Sequence, residues 1–290
     1  MWRQLNNLRR AFWNGFRHGI FMNSKGAAYS SILTIFPAFI VIAWVLTQSG
    51  MTATFLKEIE KAVGTVFPPG TRNTAIGYFA GRHSRPLKEI YSATSVMILA
   101  ASGVMISWMS GFRAAHGIST NPWGFWRERA VALLLVFLGL APMALAFGMI
   151  AFGNQIEAYL VTKIWVPKLY LVLLWSGARW LIAFLTSVTC IMLIYHWGLP
   201  RVQPWFRALP GAVVATLLWF PVTLAFGFYV TNYANYSIIY GPLAAGIALL
   251  VWLYLISIMI LVGAEFNAIT FPRAEERRHE DRRKGDRRRA

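Results

Sequence analysis

The last apolar run of the chain, from Tyr240 to Ala268, constrains the fold more than any other feature. Between Leu243 and Ala264, about 22 residues carry no charge, and at ~1.5 Å per residue they are long enough to cross a hydrocarbon layer of about 30 Å. Apolar residues surround the whole predicted helix, so it has no face for water. The run is therefore predicted to be a membrane span.

Charged residues are few, and they are segregated along the chain. They make up 13% of the sequence, about half the share of a soluble protein, whereas apolar residues make up 57%. Long stretches without any charge separate the clusters of Lys, Arg, Asp and Glu. This pattern excludes a soluble globular domain. It predicts an all-α integral membrane protein, because a helix satisfies its own backbone hydrogen bonds in lipid.

Three motifs stand out along the chain: AAYSSILTIFP at 27–37, YHWGLP followed by WFRALPGAVVATLLW within 195–219, and VGAEFNA at 262–268. They resemble motifs of the YihY/virulence factor BrkB family of bacterial inner-membrane proteins. They occur in the order that the family shows and cover most of the chain between them. The resemblance implies a bundle of membrane-spanning helices. It implies little about activity, although some members have been labelled ribonucleases.

Hydrophobicity predicts six transmembrane helices, spans one to six, within a membrane domain at 26–270. An interfacial amphipathic basic helix is expected before them at 1–25 and a disordered basic tail after them at 271–290. Another amphipathic helix is expected in the first long loop, on the extracytoplasmic side, at 53–67. The spans are predicted at about 26–48, 90–112, 130–152, 169–195, 209–229 and 243–268.

The distribution of positive charge predicts the orientation of the bundle. With six spans, both termini lie on one side of the membrane together with the loops after spans two and four. These segments hold 19 of the 28 Lys and Arg residues, whereas the opposite loops hold 8. The positive-inside rule then places both termini in the cytoplasm. The expected location is the bacterial inner membrane, crossed in multiple passes.

Both ends of the chain are basic. In 1–25, apolar residues from Trp2 to Phe16 recur at helical spacing opposite several arginines, a pattern typical of helices that lie among anionic headgroups. A lead-in helix packed on the bundle explains the same pattern. Residues 273–290 alternate basic and acidic side chains. We expect a solvated tail there, with electrostatic contact to anionic lipid or RNA as the alternative.

The first half of span one is unusually polar for a membrane helix. Tyr29, Ser30, Ser31 and Thr34 precede Pro37, which removes a backbone donor near the middle of the span. Hydroxyl groups in membrane helices usually face neighbouring helices and allow a close approach. A bent polar face that lines a cavity is the alternative interpretation.

Arg179 lies near the middle of span four. A cation at that depth costs about 2.5–3.5 kcal/mol on insertion scales, so it normally faces the interior of a bundle. It could bind an anionic headgroup or solute, or it could be an internal anchor bonded to carbonyls and hydroxyls. Arg179 and Trp180 also resemble a basic-aromatic pair that the family often shows in this span.

Glu265 matches the acidic residue of the GAE motif that closes the family's last span. It lies about one turn from the end of span six and at a different depth from Arg179. We expect it to pair with a basic residue near the inner interface, such as Arg201 or Arg207, as a structural clamp. A proton or ion site is the alternative.

The sequence does not favour an enzyme, and we expect no catalytic residue, no metal ligand and no cofactor. The five histidines are far apart and form neither an H-x-H nor an H-E-x-x-H pattern, as a metal-dependent phosphodiesterase would require. No aspartate precedes Asp281, which excludes a Ser-His-Asp triad in the membrane domain.

These features together predict a transporter or lipid-handling protein with an internal polar cavity built from spans one, four and six. The alternative is a non-catalytic membrane scaffold or assembly factor whose basic ends dock partners. Expected partners are membrane lipids with anionic headgroups; a homo-oligomer is compatible with the sequence, and no specific nucleic acid is expected. The candidate cavity residues are Arg179, Tyr29, Ser30, Ser31, Thr34 and Glu265.

Overall fold

A computed structural model describes residues 2–48, 87–118, 121–140, 142, 168–200, 203–232 and 244–272. Within these ranges, all regular secondary structure is α-helical. The helices are α1 at Trp2–Arg17, α2 at Ile20–Gln48, α3 at Leu87–Ala115, α4 at 125–140, α5 at Lys168–Trp197, α6 at Trp205–Asn232 and α7 at Ala244–Thr270.

Five of these helices are long and apolar enough to cross a membrane. They are α2, α3, α5, α6 and α7, which correspond to predicted spans one, two, four, five and six. Predicted span three is helical from residue 130 to residue 140, where α4 ends, and residue 142 is also helical. Most of its remainder lies outside the described residues, as do the predicted helix at 53–67 and the tail from residue 273.

A short turn separates α1 from α2. Gly19 has a φ of +72°, a conformation that glycine adopts without steric cost. The next helix begins at once, with the Met22 N–H donating to the Gly19 carbonyl at 3.0 Å. The helix break therefore lies at residues 18 and 19, and the predicted boundary at residue 25 lies inside α2.

Small residues bring α2 and α3 close together, and these two helices form the most extensive helix pair of the bundle. A Cβ atom on Gly26 would lie 3.0 Å from the hydroxyl of Ser107, and one on Gly103 would lie 2.8 Å from the hydroxyl of Ser30. Because each glycine lacks a side chain, a serine hydroxyl of the other helix fits against it. This is the packing that a Ser-, Ala- and Gly-rich membrane helix favours.

The central element is α7, which packs against α1, α2, α3 and α6. Every residue from 257 to 268 is buried, as expected for a helix that is apolar all round. Its closest neighbour is α6: a Cβ atom on Gly263 would lie 2.5 Å from the Gly211 carbonyl oxygen. The two backbones touch at this point, and only glycine allows that approach.

Candidate functional site

Glu265 of α7 is buried and paired. Its side chain is 3% exposed, and its Oε1 lies 2.7 Å from Nδ1 of His18. His18 occupies the turn between α1 and α2, and 39% of its side chain is exposed. A buried carboxylate needs such a partner, because an unpaired charge is costly in an apolar medium. The contact therefore ties the N-terminal helix to the central span.

Asn267, half a turn further along α7, bonds to the backbone of α6. Its Oδ1 accepts a hydrogen bond from the Gly211 N–H at 2.6 Å, and its amide group donates to the Ala208 carbonyl at 3.1 Å. The Tyr195 hydroxyl of α5 donates to the Ile260 carbonyl of α7. Polar contacts thus join α5, α6 and α7 near the point where the backbones of α6 and α7 touch.

Two histidines and Gln203 fix the connector between α5 and α6 against α3. His116 Nδ1 donates to the Phe112 carbonyl at 2.9 Å, which leaves Nε2 to accept from the Gln203 side-chain amide. His196 Nδ1 donates to the Gln203 backbone carbonyl. The His196 ring also stacks on Trp205, with centroids 3.9 Å apart. Each imidazole therefore donates from Nδ1 to a backbone carbonyl.

Charged contacts join α3 to the start of α4 at the same end of α3. Arg113 Nη1 lies 2.7 Å from Glu128 Oε1, in a charge contact without hydrogen-bond geometry. The Asn121 side chain donates to Glu128 Oε2 at 2.7 Å. Nearer the middle of α3, Arg129 Nη1 donates to the Ser102 hydroxyl at 2.6 Å. These contacts hold α4 against α3.

We call the polar residues that bond α7 and the α5–α6 connector to their neighbours the α7 end cluster. Within it lies a recess too small to admit a water molecule, so the cluster is closed. Among the described residues, no three His, Cys, Asp or Glu side chains are placed to hold a metal ion. These contacts hold the helices together, and His18 is the most exposed member of the cluster. Its members are His18, His116, Tyr195, His196, Gln203, Glu265 and Asn267.

The four hydroxyl candidates of α2 have different environments. Tyr29 is 64% exposed, whereas Ser30 faces Gly103 of α3. Ser31 and Thr34 donate to carbonyls of their own helix one turn earlier, both at 2.8 Å. The structure therefore places Ser30 at a helix contact and does not bring the four hydroxyls together with Glu265.

Arg179 is half-exposed on α5. The neighbouring Trp180 is 63% exposed and makes an edge contact with Phe220 of α6, with ring centroids 5.9 Å apart. Arg179 precedes Tyr195 by 16 residues, which is about 24 Å along a helix. It therefore lies far from the α7 end cluster, as the predicted difference in depth from Glu265 requires.

The prediction that Arg207 pairs with Glu265 is wrong. The guanidinium of Arg207 instead lies over the rings of Phe206 and Phe271, 5.7 and 6.0 Å from their centroids. The other predicted partner, Arg201, lies outside the described residues. Glu265 pairs with His18 because α1 folds back against the end of α7, a contact between residues 247 positions apart.

Sequence reasoning missed most of the α7 end cluster. His196 and Asn267 belong to the motifs YHWGLP and VGAEFNA, which were used only to establish a resemblance; the same motifs could have marked them as polar residues inside helix contacts. His18 and His116 are isolated histidines without a recognisable spacing. Only their position in the fold reveals a role.

Residues 14–288 match the family model described as Virulence factor BrkB. The chain is 28% identical over 249 residues to a UPF0761 membrane protein of Tolumonas auensis, covering 83% of this chain and 77% of that protein. It is 26% identical over 267 residues to a UPF0761 membrane protein of Xanthomonas axonopodis pv. citri, covering 88% of this chain and 59% of that protein.

A third relative carries a name that refers to an activity. The ribonuclease-like protein YfkH of Bacillus subtilis is 32% identical over 146 residues, which cover 49% of this chain and 53% of that protein. No solved structure matches the chain significantly. Since the family model covers nearly all of the membrane domain, the chain belongs to the virulence factor BrkB family of membrane proteins.

Proposed function

We propose that this protein is a transporter or lipid-handling protein of the inner membrane whose substrate carries a negative charge. One observation carries the proposal: a half-exposed cation, Arg179, lies on the spanning helix α5, about 24 Å along the helix from the α7 end cluster. An ionisable side chain inside a membrane span costs free energy, and such residues typically mark the path of a substrate or an ion.

Arg179 binds the anionic group in this proposal. Its planar guanidinium offers several donors in a fork that matches a phosphate or a carboxylate. The exposed ring of Trp180 lies next to it in sequence and can contact an acyl chain or another apolar part of the substrate. An anionic lipid and an amphipathic organic anion both fit this combination.

Proline residues supply the helix bends that opening of the α7 end cluster requires. Pro37 lies inside α2 and Pro221 lies inside α6, and each leaves one carbonyl of its helix without the usual backbone donor. The His18–Glu265 contact stabilises the packed state of the α7 end cluster, at one end of the bundle. In the orientation that the positive charges predict, this end faces the cytoplasm.

Native mass spectrometry of the purified protein tests the role of Arg179. We compare the wild type with Arg179→Gln and with a control, Arg207→Gln, which removes an exposed arginine at the other end of the bundle. We expect anionic lipid or solute adducts in the wild type and the control but not in Arg179→Gln, at equal thermal stability. Equal adducts in all three proteins would contradict the proposal.

The alternative function is a non-catalytic scaffold or assembly factor, and one observation favours it. The recess in the α7 end cluster cannot hold a water molecule, so the structure offers no solute site there. A scaffold predicts that deletion of residues 273–290 abolishes the cellular phenotype while Arg179→Gln leaves it intact. The transporter predicts the opposite result.

The proposal assigns no catalytic step to this chain. The ribonuclease-like name belongs to the Bacillus subtilis relative, which aligns with about half of this chain. Incubation of the purified protein with end-labelled RNA, with and without a divalent cation, tests this point. Cleavage that co-elutes with the protein through size exclusion would contradict it.

A further inference from the structure

Helix α1 has one packed face and one unpacked face. Ala11 and Gly15 are buried on the side that contacts α7. A neighbouring face remains exposed although it is apolar, with Trp13 63% and Phe16 60% accessible. We call this face the α1 outer face, and it consists of Leu5, Phe12, Trp13 and Phe16.

Two contacts set the depth of the α1 outer face relative to the spans. His18, directly after α1, touches Glu265, which lies five residues before the end of α7 at Thr270, a distance of about 7.5 Å along the helix. Phe16 makes an edge contact with Phe21 of α2, with centroids 4.7 Å apart. The C-terminal half of α1 is thus held slightly inside the level at which α7 ends.

The charge of α1 is entirely positive. Arg9, Arg10 and Arg17 are exposed, and the helix from Trp2 to Arg17 contains no acidic residue. Exposed aromatic and leucine side chains next to arginines are typical of helices that lie in the plane of an anionic membrane surface. Long arginine side chains can reach the phosphates while their stems lie along apolar groups.

We infer that the α1 outer face docks on the anionic lipid surface of the leaflet at which α2 begins. Its four apolar side chains lie at the boundary between headgroups and acyl chains, and its arginines contact lipid phosphates. The leaflet is adjacent because only two residues separate α1 from the spanning α2. The docked helix presents His18 to Glu265, so lipid composition affects the closed end of the bundle. This inference does not depend on the substrate of the protein.

Spin labels on opposite sides of α1 in the full-length protein test the inference. In a Cys190→Ser background, Leu5→Cys places a nitroxide on the α1 outer face, and Asn14→Cys places one on the half-exposed opposite side of the helix, about 180° away. Each protein is reconstituted in nanodiscs of phosphatidylcholine alone or with about one third phosphatidylglycerol, a mixture that attracts basic helices. Power saturation with oxygen and with a water-soluble nickel complex reports the depth of each label.

We expect the label at position 5 to be accessible to oxygen and shielded from nickel in the anionic discs, and the label at position 14 to show the reverse. Replacing Arg9, Arg10 and Arg17 together by Gln should reduce the shielding at position 5 at least fivefold, since each arginine near the surface contributes about a fivefold factor. Unfolding temperatures of the labelled proteins must match, which excludes a loss of fold.

Two results would overturn the inference. Equal nickel accessibility at positions 5 and 14 in both lipid mixtures would leave the α1 outer face in water. Spin–spin broadening at position 5 that does not depend on lipid composition would assign the face to a second copy of the chain instead.

Discussion

The two halves of α7 belong to one apolar helix, yet they are packed in different ways. From residue 257 to residue 268, every side chain is buried, and polar groups bond this half to α5, α6 and the turn after α1. In the half before residue 257, only Ala248, Leu249 and Trp252 belong to the described core. The C-terminal half adds buried polar contacts to a large apolar cluster, whereas the other half belongs to a smaller apolar cluster.

The difference shows where a membrane bundle obtains its specificity. Lipid tails are as apolar as the side chains, so apolar contacts alone give helices little preference for one neighbour over another. Backbone contact at glycine and hydrogen bonds between helices depend on register and therefore select one arrangement. The C-terminal half of α7 contains both kinds of contact, and we expect it to be the rigid part of the bundle.

The largest effect is expected at the backbone contact between α6 and α7. Gly263→Leu should prevent folding, because any Cβ there meets the Gly211 carbonyl, the Tyr195 hydroxyl and the Ala215 side chain at 2.5–2.9 Å. Gly246→Leu in the other half of the same helix is the matched control, since nothing lies within 4 Å of its Cβ position. Monodisperse yield after size exclusion measures both; equal yields would remove the contrast between the halves.

A smaller loss is expected when Glu265 loses its partner. His18→Ala leaves a buried carboxylate without its hydrogen bond, which should lower the free energy of unfolding by about 1–3 kcal/mol. The double variant His18→Ala/Glu265→Gln should recover part of this loss, because a neutral amide costs less to bury than a charge. Unfolding in mixed micelles compares the wild type, the two single variants and the double variant. If the free-energy losses of the single variants add up in the double variant, the two side chains are not coupled.

Asn267→Leu should cost about 1–2 kcal/mol, since it removes two hydrogen bonds to the α6 backbone. The control is Asn232→Leu, whose side chain bonds only to the Phe228 carbonyl of its own helix and is exposed. The same unfolding assay compares the two variants. A control that loses as much stability as Asn267→Leu would argue against bonds between helices as the cause.

The smallest effect is expected in the N-terminal half of α7. Trp252→Phe removes the indole hydrogen bond to the Thr223 hydroxyl, at 3.3 Å, and should cost about 0.6 kcal/mol, the mean for such bonds in membranes. A loss as large as that of Asn267→Leu would show that both halves of α7 depend on polar contacts and would end the comparison.

Several features of the fold could be predicted from the sequence. The apolar runs predict six spans, and five of them correspond to α2, α3, α5, α6 and α7, which are long and apolar enough to cross a membrane. Their positions could be predicted because hydrophobic length is a local property of the chain. Helix α2 begins at Ile20, six residues before the predicted start of span one.

The partners of the polar residues could not be predicted in this way. Charge alone suggested an arginine for Glu265, and the structure shows His18. Which residue pairs with Glu265 depends on the turn at Gly19 and on the direction in which α1 folds back. Neither of these leaves a periodic pattern in the sequence. Gln203 is a similar case: it contacts His116 only because a connector crosses the end of α3.

The sequence by itself therefore determined that this chain is a membrane protein and predicted the segments that the structure shows as long apolar helices. Those properties follow from the transfer of each segment between water and lipid, which depends on composition and length. Tertiary structure alone decided that the Glu265 carboxylate meets an imidazole, that Asn267 bonds to another backbone and that Arg179 lies far from both. Such contacts join residues distant in sequence, and only the packing of the helices brings them together.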